Sequence, residues 1–161
     1  MGKEAPLVNN GEQTIADINA GLPNRCFACG RDNAIGLRLV FERHLPGEAL
    51  ATWIPAEAHE GWPGVVHGGL LSTALDEAMS HAVLAAGLKA MTAELRVRFR
   101  EPAPSGRPLR LKGWIVKRAK RLVEAEASIT GAGGTEYAHG WGRFLCADPP
   151  PDPEQPAEQS G

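Results

Sequence analysis

Hydrophobic and polar positions alternate along most of this chain, and one long stretch breaks the alternation. Leu37, Leu39 and Phe41 interleave with Arg38 and Glu42, the period-two pattern of a strand with one wet face. Pro46-Gly47 marks a turn. Ala49, Ala51 and Trp53 predict a second strand that stops before Pro55, and a Gly- and Pro-rich loop follows from Glu57 to Val66. The run GGLLSTALDEAMSHAVLAA, Gly68 to Ala86, contains no proline and is apolar nearly all round, which predicts one buried helix capped by Gly87. Beyond it the period returns to two. Ala93, Leu95, Val97 and Phe99 alternate with Glu94, Arg96, Arg98 and Arg100. Leu109, Leu111 and Ile115 alternate with Arg110 and Lys112, and Val123 to Ile129 with Glu124, Glu126 and Ser128. A last strand covers Thr135 to Cys146. Two strands, one helix and four strands predict an α+β domain in which a single sheet wraps the helix. Such a sheet has long edges, and pairing between copies is a common way to cover them.

Composition sets the limits of this picture. The chain has 161 residues, enough for one domain with a real core. The expected divisions are an N-terminal extension, 1–24, the domain itself, 25–147, and an acidic tail, 148–161. From Ala147 onward the chain holds five prolines, four acids and no large apolar side chain, so it is expected to be disordered. No apolar run is long enough to span a bilayer, and the first twenty residues lack the apolar core of a secretory leader. Three cysteines make no disulfide framework, and a cytoplasmic location is expected. The formal net charge is −2, yet Lys89 to Arg121 holds eleven Lys or Arg against Glu94 and Glu101. That stretch holds only two aromatics, Phe99 and Trp114, and matches no known nucleic-acid module, so no nucleic acid is expected as partner.

The chemistry concentrates at the helix. Gly68 and Gly69 leave backbone N–H groups unshielded at the positive end of the helix dipole, where a carbonyl would be polarised and an oxyanion stabilised. The same pair also suits close packing of helix on sheet. Asp76 and Glu77 lie two turns further on, in otherwise apolar or small surroundings. A buried carboxylate is costly unless it is paired or lines a cavity. Adjacent helical residues point about 100° apart, so the two acids face different environments. Glu77 and His81 are spaced as an i,i+4 pair. Both acids can be structural. One acid near an anion-stabilising helix start is also the minimal equipment for hydrolysing an activated acyl group.

At this point the sequence resembles a family. His67-Gly68-Gly69 followed by Asp76, nine residues after the histidine, is similar to the signature of hotdog-fold acyl-CoA thioesterases of the PaaI-like superfamily. CFACG (Cys26 to Gly30) with Asn33 and Gly36-Leu37, EGWPGVVHGGLLSTALDEAMS (Glu60 to Ser80), and Phe99-Arg100-Glu101-Pro102 with Gly106 resemble one branch of it. The resemblance implies a hotdog fold and homodimers joined edge to edge, often paired again into homotetramers, with the site between subunits. It implies an acyl-CoA substrate and no cofactor. By resemblance the Gly68 N–H polarises the thioester carbonyl. Asp76 from the partner helix is nucleophile or base, Thr92 orients the water, and His67 shapes the helix entry. Many relatives carry Asn six residues before the histidine, where this chain has Gly61, with Glu60 and His59 alongside.

The remaining candidates are less specific. Gly69, Glu77, Trp62, Arg96 and Arg98 are candidate substrate-binding residues, Trp62 as a wall of the acyl pocket. Arg96, Arg98, Lys117, Arg118, Lys120 and Arg121 are candidates for nucleotide phosphates. Glu124 and Glu126 opposite Arg110 and Lys112 would instead make part of the basic stretch a solvated, cross-paired face. Cys26-x-x-Cys29 has no second pair of ligands in the sequence, so no metal is expected. The alternative functions are a hotdog enoyl-CoA hydratase or dehydratase, which would pair His with an acid, and a non-catalytic acyl-CoA sensor. Ala82, Ala85 and Ala86 suggest room for a medium chain or aryl group.

Overall fold

The computed structural model describes residues 24–43 and 45–146. The acidic tail, and the expected extension up to residue 23, lie outside the described residues. The elements are β1 (Phe41–Arg43), β2 (Glu48–Trp53), a 3-10 turn at Glu57–His59, β3 (Glu60–Trp62), β4 (Val65–Val66), α1 (Gly68–Ala85), β5 (Ala90–Phe99), β6 (Leu109–Ala119), β7 (Leu122–Thr130) and β8 (Glu136–Cys146). Six strands form one antiparallel sheet in the order β1-β2-β6-β7-β8-β5. Helix α1 packs across β2, β6, β7, β8 and β5, so the expected hotdog arrangement of one helix wrapped by a sheet is what forms.

The core follows the alternation. Leu109, Leu111, Val123, Ala125, Ala127, Ile129, Ala138 and Phe144 are buried against Leu71, Ala74, Leu75, Ala78, Met79, Ala82 and Val83 of α1. Gly113, Gly140 and Gly142 let the helix sit close. A Cβ at Gly113 would lie 2.1 Å from the Ala78 carbonyl oxygen, which is backbone and cannot swing aside. Gly113→Ala is therefore expected to lift helix from sheet at a cost of about 3 kcal/mol, a melting temperature lower by roughly 6–12 °C. Gly133→Ala, with nothing among the described residues within 4 Å of its Cβ, is the control expected to melt with wild type.

Two segments differ from the expected pattern. The strand read at Leu37–Phe41 starts only at Phe41. Leu37 and Leu39 are buried as expected, but their N–H groups donate to the carbonyls of Phe27 and Ala28, both at 2.8 Å, and Arg38 takes φ +53. Alternation there reflects a loop folded over the core. The segment read as loop from Glu57 to Val66 contains the small hairpin β3–β4. Cross-strand pairing also differs. Arg110 opposes Thr130 and Lys112 opposes Ser128, while Glu124 opposes Lys117 and Glu126 opposes Trp114.

Strand β5 is an edge. Among the described residues it pairs with β8 on one side only, and Met91, Leu95 and Phe99 are 79%, 39% and 53% exposed. Among the described residues no helix is long and apolar enough to cross a membrane.

Candidate active site

His67 is the N-cap of α1. Its backbone is extended, and its Nδ1 accepts the Gly69 N–H at 2.9 Å. A Cβ at Gly69 would lie 3.0 Å from that nitrogen, so the cap itself asks for glycine. Of the two glycine N–H groups, the cap therefore takes that of Gly69. The N–H groups of Leu70 and Leu71 return to the His67 carbonyl. The Gly68 N–H finds no acceptor among the described residues and stays at the positive end of the helix. A Cβ at Gly68 would lie 3.3 Å from the Phe99 ring, so an apolar face stands beside this N–H.

Two turns along, Asp76 is half-buried and its Oδ1 accepts the Thr92 hydroxyl at 2.8 Å. Simple alternation would put Thr92 on the opposite face of β5 from Leu95, Val97 and Phe99. The register slips by one residue between Thr92 and Glu94, so Thr92 opposes Phe144 and Leu95 opposes Gly142, both on the helix side. The β-bulge turns the hydroxyl toward α1. Burial pushes the Asp76 carboxyl above its ordinary range; the Thr92 hydrogen bond pulls it down, and the Glu77 charge pushes it up.

Glu77 points elsewhere. Its Oε1 lies 3.2 Å from His81 Nε2, and Cys26 Sγ is 3.9 and 3.8 Å from its two oxygens. His81 is 4% exposed and stacks on Phe41 with ring centroids 3.8 Å apart. Burial pushes the Glu77 carboxyl up, but hydrogen bonds from His81 and the two thiols outweigh it, and the net direction is down. The Cys29 thiol is pushed well up by burial and then by the Glu77 charge. Glu77 thus faces the Cys26–Cys29 loop, and the structure does not bring it to the Asp76–Thr92 pair.

The other expected residues fall outside this pair. Arg96 and Arg98 oppose Trp141 and His139, on the sheet face turned away from the helix. Arg96 lies over the Trp141 ring, 4.7 Å from its centroid. Acids interleave with bases on that face. Arg143 meets Glu94 and Glu124, each at 3.3 Å, His139 lies between Glu126 and Glu136, and Arg100 pairs with Glu136. Among the described residues Arg96 and Arg98 join none of these ion pairs, and both lie on the sheet face turned away from the helix that carries Asp76. Trp62 is 78% exposed on β3, and Ala82 is fully buried in the core rather than lining open space. At Gly61 a Cβ would lie 3.1 Å from His67 Cα. Neither neighbour replaces an amide there: Glu60 accepts from Ser105, and His59 Nδ1 accepts the Ala56 N–H at 2.9 Å.

Comparison with known proteins places this geometry. Residues 63–138, which hold both the helix start and the Asp76–Thr92 pair, match the family model of the thioesterase superfamily. The fold around them is the hotdog fold of PaaI-like thioesterases, as the resemblance implied. A thioesterase superfamily protein of known crystal structure superposes with a TM-score of 0.72 at 29% identity, covering 76% of this chain. This chain spans 60% of that protein's length. The PaaI protein of the E. coli phenylacetic acid degradation operon matches with a TM-score of 0.66 at 19% identity, over 70% of this chain and 82% of its own. A hypothetical thioesterase from Streptococcus pneumoniae TIGR4, crystallised with coenzyme A, matches with a TM-score of 0.66 at 19% identity, over 69% and 87%. Two further structures of that Streptococcus protein carry single alanine substitutions, one at an aspartate and one at a threonine sixteen residues later. Among curated proteins none matches this sequence.

Proposed function

We propose that this protein hydrolyses an acyl-CoA thioester to the free carboxylic acid and coenzyme A, and that it does so as a homodimer. The observation that carries the reading is the Asp76–Thr92 hydrogen bond, built by a bulge where β5 meets β8. The spacing of sixteen residues between the two equals that of the aspartate and threonine altered in the Streptococcus thioesterase.

The dimer follows from distance. Gly68 and Asp76 are eight residues apart on one helix, about 12 Å along the axis. A single thioester carbonyl cannot lie about 3 Å from the Gly68 N–H and also receive an oxygen activated by Asp76 of the same chain. Joining two β5 edges antiparallel would run the helices in opposite directions, so that Gly68 of one protomer approaches Asp76 of the other. The same joining covers the open edge and the exposed Leu95 and Phe99.

In that arrangement the Gly68 N–H and the helix dipole polarise the thioester carbonyl and hold the oxyanion of the tetrahedral intermediate. Asp76 takes a proton from water as oxygen attacks the carbonyl carbon, or attacks as the nucleophile itself. In the first case the carbon–sulfur bond breaks, the proton passes from Asp76 to the coenzyme A sulfur, and the acid is released; in the second the thiolate leaves first, and water then cleaves the Asp76–acyl anhydride, giving its oxygen to the acid and its proton to the sulfur. A carboxyl raised by burial suits the base role. The hydratase reading needs a histidine beside the acid. His67 is engaged with Gly69, and His81 lies behind the helix with Glu77, which disfavours it. A panel of acyl-CoAs with detection of released thiol tests the proposal. Binding without thiol release would favour the sensor instead, and loss of the double bond of an enoyl-CoA would favour the hydratase.

Thr92→Ala should lower the rate about tenfold or less, the worth of one hydrogen bond, and Thr92→Ser should keep most activity. The hydroxyl favours the charged carboxylate, so its loss raises the Asp76 pKa further. The acid limb of the rate profile should therefore move to higher pH in Thr92→Ala and stay in place in Thr92→Ser. Equal, large losses in both would assign Thr92 to packing.

A further inference from the structure

We infer that Cys26, Cys29 and Glu77 form a binding site for a thiolate-seeking divalent cation with the coordination preferences of zinc, one that fastens the loop before β1 to the back of helix α1. The inference does not depend on the thioesterase reading. In sequence the two cysteines look like half a site, and the fold supplies the third ligand from a helix fifty residues away. The two sulfurs and a Glu77 carboxylate oxygen all lie within 4.8 Å of one another. Tetrahedral zinc holds sulfur at about 2.3 Å and carboxylate oxygen at about 2.0–2.2 Å, which sets neighbouring ligands roughly 3.5–3.8 Å apart. Cys26 Sγ stands 3.8 and 3.9 Å from the two Glu77 oxygens, within a small adjustment of that spacing.

The loop that presents the thiols is built to hold them. The Gly30 N–H donates to the Cys26 carbonyl at 2.8 Å, closing the turn around Cys26-x-x-Cys29. A Cβ at Gly30 would fall 2.3 Å from that same oxygen, so this tight turn accepts only glycine. The Cys26 N–H donates to Asn24 Oδ1 at 3.1 Å, and the carbonyls of Phe27 and Ala28 are taken by Leu37 and Leu39. Behind Glu77, His81 Nε2 at 3.2 Å orients the carboxylate, and Phe41 stacks on the imidazole. A ligand carboxylate held by an outer hydrogen bond is the usual support of a metal site. Cys26 is exposed, so the fourth position is open to water. With both cysteines as thiolates the three ligands carry a charge of −3, and a divalent ion brings it to −1.

The test uses the full chain, freed of any tag and purified without chelator. Elemental analysis should find about one zinc per chain. Replacing it with cobalt(II) should give a sulfur-to-cobalt charge-transfer band and the ligand-field bands of a tetrahedral site. Cys26→Ser, a change at an exposed position that should leave the fold intact, should lower bound metal to less than about a tenth of wild type. Glu77→Gln should weaken cobalt affinity at least about tenfold. Titration of thiols in denaturant separates the outcomes. Three free thiols with no metal retained after equimolar zinc, or one free thiol because Cys26 and Cys29 have joined as a disulfide in the protein as isolated, would overturn the proposal. So would tetrahedral cobalt bands that persist in Cys26→Ser. Thiol release from acyl-CoA plays no part in these readouts, so failure of one reading leaves the other standing.

Discussion

Asp76→Asn is expected to leave the protein folded, with the oligomeric state of wild type, and to cut thioester turnover at least about a hundredfold, about 2.7 kcal/mol in the barrier. The substitution is close to isosteric. The amide oxygen can still accept the Thr92 hydroxyl, so the contact between α1 and β5 survives. Burial already disfavours the charge at this position, and removing it should cost the fold little. What the amide cannot do is take a proton from water or attack a carbonyl as an anion. Glu77→Gln should cost far less activity, because Glu77 faces the cysteine loop and His81. The comparison needs initial rates on the best substrate of an acyl-CoA panel, with the oligomeric state of each variant checked by size. A reversal of the two effects would mean that the adjacent acids have been assigned the wrong way round.

How much of this was legible in the chain depends on whether the cause is local. Helix α1 was expected at Gly68–Ala86 and runs Gly68–Ala85, because its apolar continuity and the absence of proline are local properties. Strands β6, β7 and β8 followed from alternation that one buried face imposes. A bulge at the start of β5 was the one way for Thr92 to leave the face of Glu94 and Arg96, but whether it forms was not legible. It arises from how β5 meets β8, and alternation alone sends Thr92 to the wrong face. Arg96 and Arg98 were nominated by charge, although the alternation with Leu95, Val97 and Phe99 already put them on the opposite sheet face, where they lie. The separation of Asp76 from Glu77 was foreseeable from helical geometry. The pairing of Glu77 with His81 was foreseeable too, from the i,i+4 spacing; its contact with Cys26 was not, since that thiol reaches it only through the folding of a loop fifty-one residues away. Gly68 and Gly69 look equivalent in sequence, yet one N–H is capped and the other is not. The histidine before them was the available signal, because its ring nitrogen two residues from Gly69 is an N-cap acceptor.

That difference gives the second large effect. Gly68→Pro should reduce turnover about a hundredfold to a thousandfold while α1 stays formed, and Gly68→Ala should lose far less. Position 68 is the first residue of the helix, where proline is well tolerated because its missing N–H has no helical partner to lose. The preceding residue, His67, already has the extended backbone, φ −60 and ψ 131, that a following proline requires. Both variants place a Cβ about 3.3 Å from the Phe99 ring, so the half-exposed ring must give by the same few tenths of an ångström in each. The two therefore differ chiefly in whether the N–H exists. If that N–H holds the oxyanion, its removal should cost what the loss of an oxyanion donor costs elsewhere, about 2.7–4 kcal/mol. Circular dichroism and melting temperature establish that the helix persists, and thiol release on a common substrate reads the rate. Equal losses in the alanine and proline variants would place the effect in crowding against Phe99, and full activity in the proline variant would remove the Gly68 N–H from the mechanism.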